Sequence, residues 1–322
     1  MKRTLRRSAV LLAAGALALT GFATPSSAAP SGFTPVHLAA TTAAQADAVA
    51  AYWTPQAMRT AIPLDDLLGA VDVTKLSRTV ARGLPQVVQP TDVSPQAFPN
   101  GGSAWTGGGR VVSTAGRVFF TFQGRNASCS GNAVTSANKS TVITAGHCVK
   151  LEGAFHTNWA FVPAYNNGNA PFGTWTARAT LATPQWVASE DINFDVGAAV
   201  VNTLNGQSLT DVVGAQGVAF NQPRAQNMYA FGWPAAAPYD GTRMIYCSGR
   251  TFNAFLSTGI GMTCNMTGGA SGGPWFQGFS EATGTGLLNS VNSYKINLIP
   301  TWMFGPYFGT DAQNLYNTAQ AS

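Results

Sequence analysis

From Val111 onward the chain is a succession of short apolar segments that either alternate or carry β-branched residues: RVFFTF (117–122), TVITA (141–145), WAFVPAY (159–165), VGAAVV (196–201), NMYAFGW (227–233), MIYC (244–247) and GLLNSV (286–291). Each is too short for a stable helix, and Gly, Asn and Pro turns separate them at the spacing of a β-sandwich or barrel. The predicted class is therefore all-β. A stretch of about 210 residues suits two small barrels better than one large one. The end of the chain differs, since TDAQNLYNTAQ (310–320) reads as a capped terminal helix.

Within this β region stands TGGASGGPW (267–275), with Ser271 in a G-x-S-x-G pattern. A nucleophile elbow of the α/β-hydrolase type needs its histidine after the serine. The only histidines are His37, His147 and His156, all before it. A subtilisin-like order needs an acid before the histidine, and no carboxylate lies between Asp92 and His147. The remaining order for a serine nucleophile is His, acid, Ser. His147 fits it, at the end of the β-branched run Thr141–Thr144 in STVITAGHCVK. Six acids intervene before Ser271: Glu152, Glu190, Asp191, Asp195, Asp211 and Asp240. An orienting acid is buried against the imidazole, so it belongs at the edge of an apolar strand. Asp195 leads into VGAAVV and is preferred. Asp191, in the polar run SEDINF, is its rival and reads as a solvated turn acid.

TAGHC, DVGAAVV and GASGGP, in that order and at those separations, resemble the signatures of the chymotrypsin-like serine peptidases. NWAFVPAYNNG, PFGTWTA, YAFGWPA and MIYCSG resemble the bacterial secreted branch related to glutamyl endopeptidases. The resemblance extends over roughly residues 111–322. It implies two six-stranded antiparallel barrels with a C-terminal helix, the first at 111–205 and the second at 206–322, with His147 and Asp195 from the first barrel and Ser271 from the second. It also implies a secreted serine endopeptidase acting on polypeptides, with an oxyanion hole formed by the N–H groups of Gly269 and Ser271. In animal relatives the residue before the serine is an aspartate that pairs with a new amino terminus. Here it is Ala270, so activation has to work otherwise, by release of a propeptide from the cleft or by another amino-terminal contact.

The primary pocket implied by the family falls at Asn265, Met266 and Asn289. No histidine follows His156, so strict glutamate specificity of the family type is not expected. No acid between Asp240 and Ser271 would neutralise a buried Lys or Arg. Neutral side chains are the expected substrates, unless Arg250 or Lys295 folds into the pocket and favours acidic ones.

Upstream, Lys2, Arg3, Arg6 and Arg7 precede an apolar run and small residues, which makes 1–28 a secretory signal peptide. Residues 29–110 read as a partly helical propeptide and linker. TAAQADAVAAYW and PLDDLLGAVDVTKLSRTVARGL have helical periodicity, with Asp65 and Asp66 in a first turn, and a loose Pro- and Gly-rich stretch follows over 85–109. Arg110–Val111 resembles a processing site. Four of the 18 basic residues belong to the signal, leaving 14 against 13 acidic groups, so the basic balance implies no nucleic-acid partner. A monomer without membrane attachment in its mature form is expected. Four cysteines in an exported chain imply two disulfides; neighbourhood favours Cys129–Cys148 and Cys247–Cys264, with other pairings open. No zinc-type spacing occurs and no cofactor is expected. Two rival readings share the fold class: an inactive peptidase-like binding module, and a carbohydrate-binding β module using Trp159, Trp175 and Trp233.

Overall fold

The computed structural model describes residues 33–67, 80–88, 98–255, 257–296 and 298–322, so the predicted signal peptide lies outside the described residues. The first barrel closes through six antiparallel strands. In order around the barrel they are Trp175–Ala182, Thr157–Pro163, Ala115–Phe122, Arg125–Ala133, Thr141–Thr144 and Gly197–Val201, and the last pairs back onto the first. Nearly every residue of these strands is buried, because one face fills the barrel and the other is covered by helices and by the second half. Strands with both faces covered read as continuous apolar runs, which accounts for VFF and VGAAVV in the sequence.

The second barrel is built from two sheets. One carries Gly217–Phe220, Asn227–Gly232, Ile245–Arg250, Pro274–Ser280 and Thr285–Val291; the other carries Phe252–Asn253, Ile260–Thr263, Tyr294–Ile296 and Ile299–Gly305. The Cys247–Cys264 disulfide ties the two sheets together, and Cys129–Cys148 ties the strand Arg125–Ala133 to the histidine turn. The pairing is the one favoured by neighbourhood. The terminal helix Thr310–Ala321 buries Ala312, Leu315, Tyr316 and Ala319 along one stripe. Trp159, Trp175 and Trp233 are only 1–2% exposed. They belong to the core and offer no stacking surface to a sugar.

Where it is described, the upstream segment is more closely packed than its composition suggests. Ala43–Tyr52 forms a helix with a Thr42/Gln45 capping box, as its periodicity predicts. Of the second predicted helix, Leu64–Leu67 is helical and 68–79 lies outside the described residues. Val80–Leu84 is not helical. Its backbone is satisfied elsewhere, with Gly83 N–H donating to Asn221 Oδ1 and Leu84 carbonyl accepting from Asn221 Nδ2. The stretch 85–109 is no loose linker where it is described. Gln86–Val88 pairs with Val218–Phe220, and Asn100–Ala104 pairs along Ile245–Ser248. Open edges of the second-barrel sheet present unpaired N–H and C=O groups, and extended chain of almost any composition satisfies them. Val36–Leu38 covers part of the strand Trp175–Ala182 in the same way.

Candidate active site

His147 and Asp195 stand in tight turns beside strand ends. Thr141–Thr144 runs into a 3₁₀ turn, Gly146–Cys148, that carries His147. Asp195 closes a second such turn, Ile192–Phe194, just before the strand Gly197–Val201. The two turns meet because Gly197 lets the backbones touch: a Cβ there would lie 2.5 Å from the Ala145 carbonyl oxygen.

His147 Nδ1 lies 2.7 Å from Asp195 Oδ2, and the His147 backbone N–H donates to Asp195 Oδ1 at 2.8 Å. Ser293 Oγ donates to the same Oδ2 at 2.6 Å. Asp195 is fully buried, and these three donors compensate the cost of holding its charge there. With Nδ1 engaged by the carboxylate, Nε2 faces the other way. It is buried and makes no hydrogen bond among the described residues. Burial by itself lowers the pKa of His147, but the Asp195 charge, its hydrogen bond and then the Asp65 charge outweigh this and raise it above the ordinary imidazole value.

The loop around Ser271 is fixed from both sides. Ser130 N–H donates to the Ser271 carbonyl and Ser130 Oγ to the Gly269 carbonyl, while Asn292 Nδ2 donates to the carbonyls of Ala270 and Phe231. Gly269 has φ +92°, a conformation that L side chains rarely adopt, and it turns its N–H into the site. At Gly272, with φ +77°, a Cβ would stand 2.1 Å from Thr144 Oγ1.

What lies on Ser271 comes from upstream. Ser271 Oγ donates to Asp65 Oδ1 at 2.9 Å, and Gly269 N–H donates to Asp65 Oδ2 at 3.0 Å. The sequence gives Asp65 only a helix-turn role, because a contact across 206 residues leaves no local trace. Ser293, Ser130 and Asn292 are likewise absent from the sequence-based site. The spacing of Ser293, a short polar run NS after the strand Thr285–Val291, is their only hint.

One expectation needs correction. Asp191 is not solvated: it is fully buried, its Oδ1 caps the turn by accepting from Asn193 N–H and Nδ2, and it does not reach His147. A short 3₁₀ turn leaves its first N–H groups open, and a buried carboxylate at the cap answers them. Asn289 bonds to the Ala219 carbonyl on a neighbouring strand; the asparagine beside the Ser271 loop is Asn292. Asn265 is exposed and turned toward Tyr239, whose hydroxyl donates to it. Met266 is buried, and its carbonyl accepts from Lys295 Nζ at 2.7 Å. Burial pulls the Lys295 pKa down to about 8.

Among the described residues, one group of side chains is close enough to share a metal ion: Cys129, His147 and Cys148. Both sulfurs are spent in the disulfide, so this donor set does not fit a metal.

No family model matches the chain. Among curated proteins it resembles the extracellular metalloprotease of Bacillus subtilis (strain 168), at 24% identity over 172 residues, 52% of this chain. The chain spans about half the length of that relative, 53% of it. Among solved structures, protease Anisep from Arthrobacter nicotinovorans is 49% identical, with a TM-score of 0.64, and the match covers 69% of this chain and 100% of that one. The thermostable serine protease AL20 from an extremophilic microorganism is 42% identical, with a TM-score of 0.63, over 66% of this chain and 99% of that one. A Glu endopeptidase shares the fold at 16% identity and a TM-score of 0.54, over 69% of this chain and 98% of that one. With 42–49% identity over matches that span all or nearly all of two solved proteases, this chain belongs to the serine proteases, and it shares the chymotrypsin-like fold of the Glu endopeptidase.

Proposed function

We propose that this chain is a secreted serine endopeptidase in which Ser271 is the nucleophile, His147 the general base and acid, and Asp195 the orienting acid. Ser271 Oγ attacks a peptide carbonyl carbon while its proton passes to His147 Nε2. The carbonyl oxygen, now negative, accepts the N–H groups of Gly269 and Ser271, each such donor being worth about 3 kcal/mol in the transition state. Collapse expels the amine, which takes the proton from Nε2, and water then hydrolyses the acyl-enzyme by the same route in reverse. Asp195 holds Nδ1–H and so leaves Nε2 free to accept. The observation that carries this reading is the Asp195–His147 pair at 2.7 Å, beside a serine whose loop turns a glycine N–H inward. A fluorophosphonate probe tests it on the chain freed of its upstream segment: a covalent adduct mapped to Ser271 is expected, and no adduct there would refute it.

The upstream segment is a propeptide in this reading. Support comes from the extent of the solved relatives, since the whole Anisep chain is matched by 69% of this one. Substrate preference turns on Lys295. Its ammonium rests against the Met266 carbonyl and has no salt bridge among the described residues, which supports a preference for acidic side chains. Lys295→Met is expected to lower cleavage after Asp and Glu at least tenfold relative to neutral residues in a peptide library. An unchanged ranking would remove Lys295 from the pocket.

A further inference from the structure

We propose that Asp65 is an internal inhibitor whose side-chain carboxylate occupies the place of the reaction's oxyanion, so that the segment Ile62–Leu67 is a built-in ligand of the active site. The inference rests on Ser271 being the nucleophile and goes further, assigning to one residue the means by which the unprocessed chain is kept silent.

The geometry is that of an occupied oxyanion hole. One carboxylate oxygen takes the Gly269 N–H, a donor meant for developing negative charge, and the other takes the Ser271 hydroxyl proton. A full charge in that position engages the Gly269 donor as a tetrahedral intermediate would, with no reaction to follow. The carbon that faces Ser271 belongs to a carboxylate and bears no amide, so attack there would expel nothing. Ser271 is further disarmed because its proton is directed at Asp65 rather than at His147 Nε2, which makes no hydrogen bond among the described residues. The nearby Asp65 charge also favours the protonated imidazole, which cannot act as a base.

The segment is held in place independently of these two bonds. Ile62 and Pro63 pair in parallel with Ala127 and Ser128, and Leu64 is fully buried in the main core. The approach is close on the opposite side too: a Cβ on Gly268 would lie 3.1 Å from both Asp65 Cβ and Asp66 Oδ1, a tight contact. Before it, Met58 and Trp53 are buried and Trp53 Nε1 donates to the Asn158 carbonyl at 2.6 Å. Packing thus delivers the carboxylate, and the carboxylate closes the site.

The test is the rate of fluorophosphonate labelling of the full-length, unprocessed chain, read at its own size on a gel, for wild type, Asp65→Asn, Asp65→Ala and Asp66→Asn. Each is compared with the same sample after limited proteolysis of the upstream segment, and thermal unfolding of each checks that it folds. Asp65→Asn keeps the shape and removes the charge. It is expected to raise labelling of the intact chain at least tenfold, and Asp65→Ala by more, with Asp66→Asn indistinguishable from wild type. Intact Asp65 variants as unreactive as wild type, alongside a reactive cut wild type, would overturn the inhibitor role and leave the peptidase reading standing. An equal rise in the Asp65 and Asp66 variants would overturn it too, because general loosening would then be the cause. Absence of labelling in every form, cut or intact, would sink both.

Discussion

Asp195 and Asp191 stand four residues apart and are both fully buried, yet only one reaches the imidazole. Asp195→Asn would present an N–H to His147 Nδ1 and force the proton onto Nε2, the wrong tautomer for a base; turnover is expected to fall about 10⁴-fold. Asp191→Asn keeps the oxygen that caps Asn193, so its effect on turnover in the same assay is expected to be small. A larger loss for Asp191→Asn would reverse the assignment. His156 carries a separate prediction. It stacks on Phe120 with ring centroids 4.2 Å apart, its Nε2–H donates to the His147 carbonyl, and burial lowers its pKa to about 4. The unfolded chain, with an ordinary imidazole near 6.5, therefore takes up the proton first as the pH falls. Stability from this group is present above pH 6.5 and is lost toward pH 4, by about 3 kcal/mol in total. In urea denaturation between pH 7 and pH 4, His156→Gln should remove that part of the acid loss; an identical pH dependence would contradict the argument. At this scale the sequence reveals what order and edge position determine. The succession of His147, Asp195 and Ser271 is legible, since it follows from which residue types stand where apolar runs stop. Asp65, Ser293 and Asn292 are not, because each acts through a contact made only by the folded chain.

The strands show the same division between local and distant causes. Runs such as TVITA and VGAAVV become strands because β-branched and small residues suit a sheet buried on both faces. Asn100–Ala104, NGGSA, carries no such pattern and becomes a strand because a sheet edge is open beside it. The disulfides close short loops, with 17 residues of separation for Cys247–Cys264. That bridge joins the two sheets of the second barrel. Replacing both of its cysteines by alanine is expected to cost about 3 kcal/mol, by the loop-closure argument. A loss below 1 kcal/mol in equilibrium unfolding would show that the sheets hold each other without it.

For the whole molecule, the main difference between sequence and structure is where the upstream third goes. Composition suggests helix followed by loose chain, with little core of its own. The described parts instead lend strands to both barrels and set a carboxylate on Ser271. A segment with little core of its own is stable there because it borrows that of its host. In the full-length chain the imidazole of His147 is raised above its ordinary pKa, in part by Asp65. Asp65→Asn in the intact chain takes that charge away and leaves the burial in place, so the titration of His147, followed by NMR, should move to lower pH; no movement would mean that Asp65 is not felt. All of this depends on Ser271 and His147 acting as one catalytic unit, and the direct measurement is ester hydrolysis by the cut enzyme in a double-mutant cycle. Ser271→Ala and His147→Ala are each expected to reduce turnover by several orders of magnitude, with the double variant scarcely slower than either single one. Losses that multiply in the double variant, or near-normal turnover in either single variant, would contradict the account.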